Sequence, residues 1–303
     1  MPSRKTLFKS LHGEGAVALV VLRLTVLKDG ILPPFTSRTL KSIAAKARCL
    51  ETVWTLYESA PSYKPVSIRV LRTSSMKPMY RVERKGNDRP FIVKRGHILF
   101  GYLAFYTRES LATPPLCNED VDIDYTAFHV ETEQATFRRL DSLGKGDYSR
   151  VKIEFVTPVT ITTKIMAPPL SSTRLLEKLL SRTREAYRLL PSPGYIAAQA
   201  ARVWVALASA SNPRGHHIPY AVGRLADIMV AEVDFWLRPE TVVYGREDGD
   251  KLRKVRGVRG YVVYEPLNDG IKYDFSRLLD FASYMGIGKS RSIGFGEIRV
   301  EYI

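Results

Sequence analysis

The segment Gly286 to Arg299, GIGKSRSIGFGEIR, gathers the residue types that grip phosphate. Gly286, Gly288, Gly294 and Gly296 form two G-x-G pairs, separated by Lys289, Ser290, Arg291, Ser292 and Ile293. Glycine reaches positive φ and brings backbone close to a ligand, so successive N–H groups can converge on phosphate oxygens. Lys289 and Arg291 add charge, and the two serines add hydroxyl donors, a set suited to a sugar-phosphate backbone. The expectation is a backbone cradle for nucleic-acid phosphate, and with it an RNA-handling chain.

Two nucleotide motifs are excluded. Gly288-Lys289-Ser290 resembles the end of a Walker A loop, yet Ser283 stands where that motif has its first glycine, and the segment runs from helix to strand. Arg291 occupies the place of the third glycine in a dinucleotide fingerprint. Neither ATP nor any other cofactor is expected.

A second cluster of cations, Arg246, Lys251, Arg253, Lys254, Arg256 and Arg259, flanks a polar hairpin and suits an RNA stem or single strand. Tyr244, Tyr261 and Tyr264 nearby offer rings for stacking or for core, with strand alternation placing Tyr264 opposite Tyr261. His12, just before the first strand, is a candidate for a site between domains. His97 and His129 lie in strand contexts and read as structural. His216-His217 follow the loop Asn212 to Gly215, where RNA contact fits better than metal, since adjacent histidines alone make a poor site. Cys49 and Cys117 stand in unrelated contexts with no C-x-x-C, so neither a disulfide framework nor a zinc site is expected.

These residues need elements to position them. Ala18, Val20, Leu22, Leu24 and Val26 alternate in a half-buried strand, which Asp29-Gly30 and Pro33-Pro34 end. A helix over Ser37 to Tyr57 then carries Leu40, Ile43, Ala44, Ala47, Leu50 and Trp54 on one face, with Arg38, Lys41 and Arg48 opposite. Strands are expected over 65–72, 91–106 and 127–137, with the acidic run Glu119 to Asp124 as surface loop. After a linker at 144–148 come a strand at 151–163, helices marked by Leu175 to Leu190 and by Ile196 to Leu207, and strands at 227–237 and 257–264. A short helix carrying Phe275 to Met285 and a final strand, 295–303, complete the order β-α-β-β-α-β with one helix doubled. The fold class is α+β, two tandem ferredoxin-like (βαββαβ) domains over 1–146 and 147–303, the second carrying the glycine-rich loop.

The 303 residues, 45% apolar and 25% charged, can bury a sizeable core. Lys and Arg outnumber Asp and Glu by 46 to 31, and the net charge of +15 favours a polyanion over a membrane, since no cationic amphipathic anchor or apolar span is present. The cytosol is the expected compartment. Four Asn and two Gln amid abundant Arg, Lys and Glu suggest a thermophilic source.

With its last helix, GIGKSRSIGFGEIRV, the preceding RGVRGYVVYE at 256–265 and VKIEFVTPVTI at 151–161, the chain resembles the Cas6 family of CRISPR repeat-RNA endoribonucleases. The resemblance is specific over roughly 151–303 and topological before that. It implies metal-independent cleavage, in which a ribose 2′-OH attacks the adjacent phosphate to leave a 2′,3′-cyclic phosphate and a 5′-OH. Many members carry a histidine in or near the first helix, and this one has none. Lys28, Lys41 and Lys46 then stand as candidates for proton transfer, Arg38 for charge stabilisation, and His12 for a role between domains. Gly286, Gly288, Lys289, Ser290, Arg291, Ser292, Gly294, Gly296, Arg256 and Arg259 are the expected RNA contacts. A non-catalytic RNA-binding subunit of a CRISPR effector complex is the alternative, and an RRM-type factor lacks its aromatic signature. Repeat RNA is the expected partner, with other effector subunits and a second copy of this chain left open.

Overall fold

The computed structural model describes residues 11, 13–60, 63–83, 89–108, 114–168, 178, 181–184, 186–208, 217–246 and 252–303. Its first half contains β1 (Ala16–Val26), β2 (Gly30–Leu32), α1 (Ser37–Lys46), α2 (Glu51–Ser59), β3 (Val66–Ile68), β4 (Arg72–Thr73), β5 (Phe91–Val93), β6 (Ile98–Thr107), β7 (Asn118–Ile123) and β8 (Thr126–Arg139). The second contains β9 (Val151–Val159), β10 (Ile161–Thr162), β11 (Tyr187–Arg188), α3 (Pro193–Ala208), α4 (His217–Met229), β12 (Val230–Arg246), β13 (Leu252–Pro266), α5 (Asp269–Met285) and β14 (Ile298–Tyr302).

The larger sheet has the order β3-β6-β1-β8-β7, with β4 also on β6, and the smaller has β12-β13-β9-β14. Every pair is antiparallel. In each sheet the first strand of the unit lies between the third and fourth, which is the ferredoxin-like arrangement, here in tandem. Even residues of β1 from Ala18 to Val26 are buried beneath Leu40, Ile43 and Ala44 of α1 and Val53 and Tyr57 of α2, as their period of two requires. In the second unit α3 and α5 cover the sheet, Trp204 meeting Phe281 with ring centroids 4.9 Å apart. The far side of α5 also touches β1 and β6, so one helix joins the two cores.

Several expectations are corrected. The 37–57 helix is two helices, because Ala47 turns extended (φ −74°, ψ 122°) and Arg48–Leu50 forms a tight turn. Cys49 in that turn is disulfide-bonded to Cys117, just before β7, so the two cysteines are partners after all. The Cys49 N–H also donates to the Glu119 carboxylate at 2.8 Å. The acidic run is no loop: Val121 and Ile123 alternate inward while Asp120 and Asp122 face out, making β7 an edge strand hairpinned to β8. Among the described residues β7 fills the place of the first unit's second helix. His217 opens α4 rather than lying in a loop, and 227–229 ends that helix before β12 begins. His12, His216, Lys251 and the leucines Leu175, Leu176, Leu179 and Leu180 lie outside the described residues.

Candidate nucleic-acid interface

The glycine-rich loop joins α5 to β14, and its geometry follows from its glycines. Gly286, Gly288, Gly294 and Gly296 have φ of 74°, 78°, 100° and 70°, and Ser290 has 60°. This winding lets the loop bond along the end of β9. The N–H of Lys289 donates to Thr160 O at 2.9 Å, that of Gly296 to Pro158 O at 3.1 Å, and that of Ile287 to Gly296 O at 2.9 Å. The Glu297 N–H donates to Thr157 Oγ1 at 3.0 Å. These donors therefore hold the loop's shape. What it presents outward is side chain: Lys289 is exposed, and Ser290 and Ser292 are half-buried.

The loop is pressed against the start of α1. Ser37 Oγ donates to Ile293 O at 2.6 Å, Ser67 Oγ donates to Arg291 O at 3.3 Å, and Phe35 stacks on Phe295 with centroids 4.4 Å apart. Tyr244 of β12 meets the same Phe295 edge-on at 5.7 Å. Arg291 points inward and is buried, its guanidinium donating to Met285 O and to Lys64 O. Burial lowers its pKa to about 10.

Arg38 follows Ser37 on the exposed side of α1, and its Nη1 lies 3.7 Å from where a Cβ on Gly245 of β12 would stand. One turn on, Lys41 Nζ is 5.0 Å from the Tyr57 ring centroid, and Lys64 Nζ is 5.1 Å from the same ring. Arg256 of β13 is exposed, and its carbonyl accepts the Thr160 hydroxyl at 3.2 Å. Arg38 and Lys41 thus lie on α1 beside the Ser37 contact with the loop, while the Lys289 ammonium donates to Tyr187 Oη at 3.1 Å and Arg256 lies across Thr160 from it. Arg259 lies 3.7 Å from Glu240 and over the Tyr80 ring.

Lys28 and Lys46 are elsewhere. Lys28 pairs with Asp122 at 2.8 Å, and Lys46 with Asp124 at 3.6 Å, beside β7 and toward the C-terminal end of α1. Ten helical residues span about 15 Å, so these lysines are separated from the loop by the length of that helix. His97 and His129 make local contacts, the latter with Asp120 at 2.7 Å.

Sequence reasoning missed Lys64, whose nearest neighbours in the chain carry no pattern, and a buried ionic cluster between the units. Glu297 at the end of the glycine-rich segment accepts from Arg69 at 3.1 Å and from Arg72, all three nearly inaccessible. They line a cavity of about 290 Å³ with Tyr102, Tyr284 and Arg299.

Family models for the Cas6 N-terminal domain and for the CRISPR-associated endoribonuclease Cas6 match residues 19–137 and 153–298. Two CRISPR-associated endoribonucleases Cas6 of Saccharolobus solfataricus are 29% identical over 281 residues and 27% identical over 280; each alignment covers 91% of this chain and 93% of the relative. Among solved structures, a Cas6 product complex superposes with TM-score 0.58 at 17% identity, covering 95% of this chain and 100% of the other. A Thermus thermophilus Cas6 gives 0.57 at 15%, covering 96% and 100%. At such identities the structural likeness carries the fold.

Proposed function

The chain belongs to the Cas6 family of CRISPR-associated endoribonucleases, and from that premise we propose that it cuts CRISPR precursor RNA within each repeat by a reaction that needs no metal ion. The ribose 2′-OH attacks the adjacent phosphorus, the P–O5′ bond breaks, and the products are a 2′,3′-cyclic phosphate and a 5′-OH. Such a reaction needs a base at the 2′-OH, cations beside the pentacoordinate phosphorus and a proton for the leaving oxygen.

The observation that carries this reading is the junction of α1 with the glycine-rich loop, held by the Ser37 to Ile293 hydrogen bond. In this proposal Arg38 and Lys289 stabilise the charge on the phosphorane, while Ser290, Ser292 and Arg256 hold neighbouring phosphates. Lys41, one turn from Arg38, transfers the proton. Arg291 supports the loop from behind, and Gly286, Gly288, Gly294 and Gly296 give it its winding. We also place the boundary between the halves near residue 146, supported by the end of the first sheet's chain before the linker and the start of β9 at Val151.

Repeat RNA incubated with the protein in EDTA should yield one discrete cut per repeat and a cyclic phosphate end. Arg38→Ala and Lys41→Ala should each lower the single-turnover rate by about 10²- to 10³-fold with RNA affinity changed far less. A cut that appears only with added divalent metal would overturn the mechanism. A second reading, a non-catalytic RNA-binding subunit, is favoured by the absence of histidine from α1. Nanomolar binding with no product at any protein concentration would select it.

A further inference from the structure

Lys64 stands close to Lys41, and the reaction as proposed gives it no part. The glycine-rich loop holds it in place. The Arg291 guanidinium donates to Lys64 O, and Ser67 Oγ donates to Arg291 O at 3.3 Å, so the chain from Lys64 into β3 is bonded to the loop twice. Tyr63, just before, packs on the core of the second unit. Lys64 Nζ lies 5.1 Å from the Tyr57 ring centroid and Lys41 Nζ 5.0 Å, while Tyr57 itself is buried and stacked on Trp54. Next along, the exposed Arg202 of α3 has its guanidinium carbon 5.5 Å from the Tyr63 ring centroid. Three cations from three separate elements thus follow one another away from the Ser37 contact, each braced on a tyrosine ring.

What these three lack is an acid. Elsewhere the surface cations carry one: Lys28 pairs with Asp122, Lys46 with Asp124, Lys254 with Glu83 and Arg150 with Glu265. Among the described residues, none of Lys41, Lys64 and Arg202 makes an ion pair. Like charges gathered without a counter-charge repel, and an anion laid across them relieves the repulsion. A small anion would reach one or two of them, whereas a linear run from α1 to α3 matches a chain of phosphates. On the reading that the substrate is RNA, though independently of the cut, we propose that Lys64 is a further RNA contact. The strand leaves α1 on this side, its next phosphate on Lys64 and a later one on Arg202. It crosses the helical layer of the first unit toward α3, while its other arm lies toward Arg256 and the β12–β13 hairpin.

The test measures binding of repeat RNA with a 2′-deoxy residue at the cut, over a series of salt concentrations, so that cleavage has no bearing on it. Lys64→Gln and Arg202→Gln should each weaken binding about fivefold at 0.1 M salt and flatten the plot of log affinity against log salt by about 0.7. Lys64→Arg should restore both. Arg150→Gln, which removes a paired cation at the far end of β9, should change neither. Repeat RNA that stops at the cut on one side should lose the effects of Lys64→Gln and Arg202→Gln, and RNA that stops there on the other side should keep them. Effects absent from the full repeat, kept by both shortened RNAs, lost by both, or matched by Arg150→Gln overturn the proposal. No binding by the unaltered protein would instead remove the reading that it handles RNA, and this proposal with it.

Discussion

Single residues of the loop and its supports do separable work. Gly296 has φ 70°, and a Cβ there would stand 1.8 Å from the carbonyl oxygen of Ile287, the residue whose N–H closes the loop onto Gly296 O. Gly96 has a similar φ of 85° with nothing within 4 Å of a built Cβ. Gly96→Ala should therefore cost only the left-handed backbone penalty of about 1 kcal/mol, and Gly296→Ala about 3 kcal/mol or more, both read by urea denaturation. Glu297 balances two buried guanidinium groups, so Glu297→Gln strips the charge that Arg69 and Arg72 face and should cost about 3–5 kcal/mol. The glycines were legible in the sequence because their type alone implies positive φ. The direction of Arg291 was not, since a cation in a glycine-rich loop reads as outward until Lys64 O and Met285 O are seen to receive it.

At the scale of elements, legibility followed pattern strength. β1 and α5 carry unbroken periods of two and 3.6, and both were readable, α5 at greater length than expected. β7 alternates as well, but Asn, Glu and Asp are poor strand formers, and its place was fixed by the β8 hairpin and by Cys117. The break between α1 and α2 was hidden because Leu40 to Tyr57 keeps helical spacing through Ala47. The tether at Cys49 supplies what the spacing does not show. That disulfide spans 68 residues and ties the helical layer to an edge strand. Its loss should lower stability by about 2–4 kcal/mol, with the dithiothreitol-treated protein and Cys117→Ser melting together and below the oxidised form. A reduced protein of unchanged Tm would mean that Glu119, through its bond to the Cys49 N–H, holds the turn without help.

For the molecule as a whole, the tandem plan was legible because each half opens on a strand, a helical layer and then further strands, while the join between halves was not. Its members, Glu297 with Arg69 and Ser37 with Ile293, are more than two hundred residues apart in the chain. Buried tyrosines set the response to alkali, Tyr80 at the join and Tyr148, Tyr264 and Tyr302 within the second unit. Burial raises the phenol pKa of Tyr80, Tyr148, Tyr264 and Tyr302, and nearby carboxylates reinforce it: Glu240 at Tyr80, Asp280 at Tyr148 and Tyr302, Glu232 at Tyr264. In the folded state these groups keep their protons above pH 10, where the unfolded chain gives them up. The unfolded form then binds fewer protons, and stability falls with each pH unit above that value. Arg291, with its pKa lowered to about 10, and Arg277 act in the opposite sense, since burial lowers both and stability from them rises as the pH climbs past the folded value. Two guanidinium groups against these four phenols, with Tyr106 and Tyr284 shifted the same way as the four, leave a net loss. Tm should thus be level with respect to these phenols up to about pH 9 and decline steeply from pH 10, and Tyr80→Phe with Tyr302→Phe should flatten the decline. A decline of equal slope in that double variant would assign alkaline unfolding to the basic surface instead of to the buried phenols.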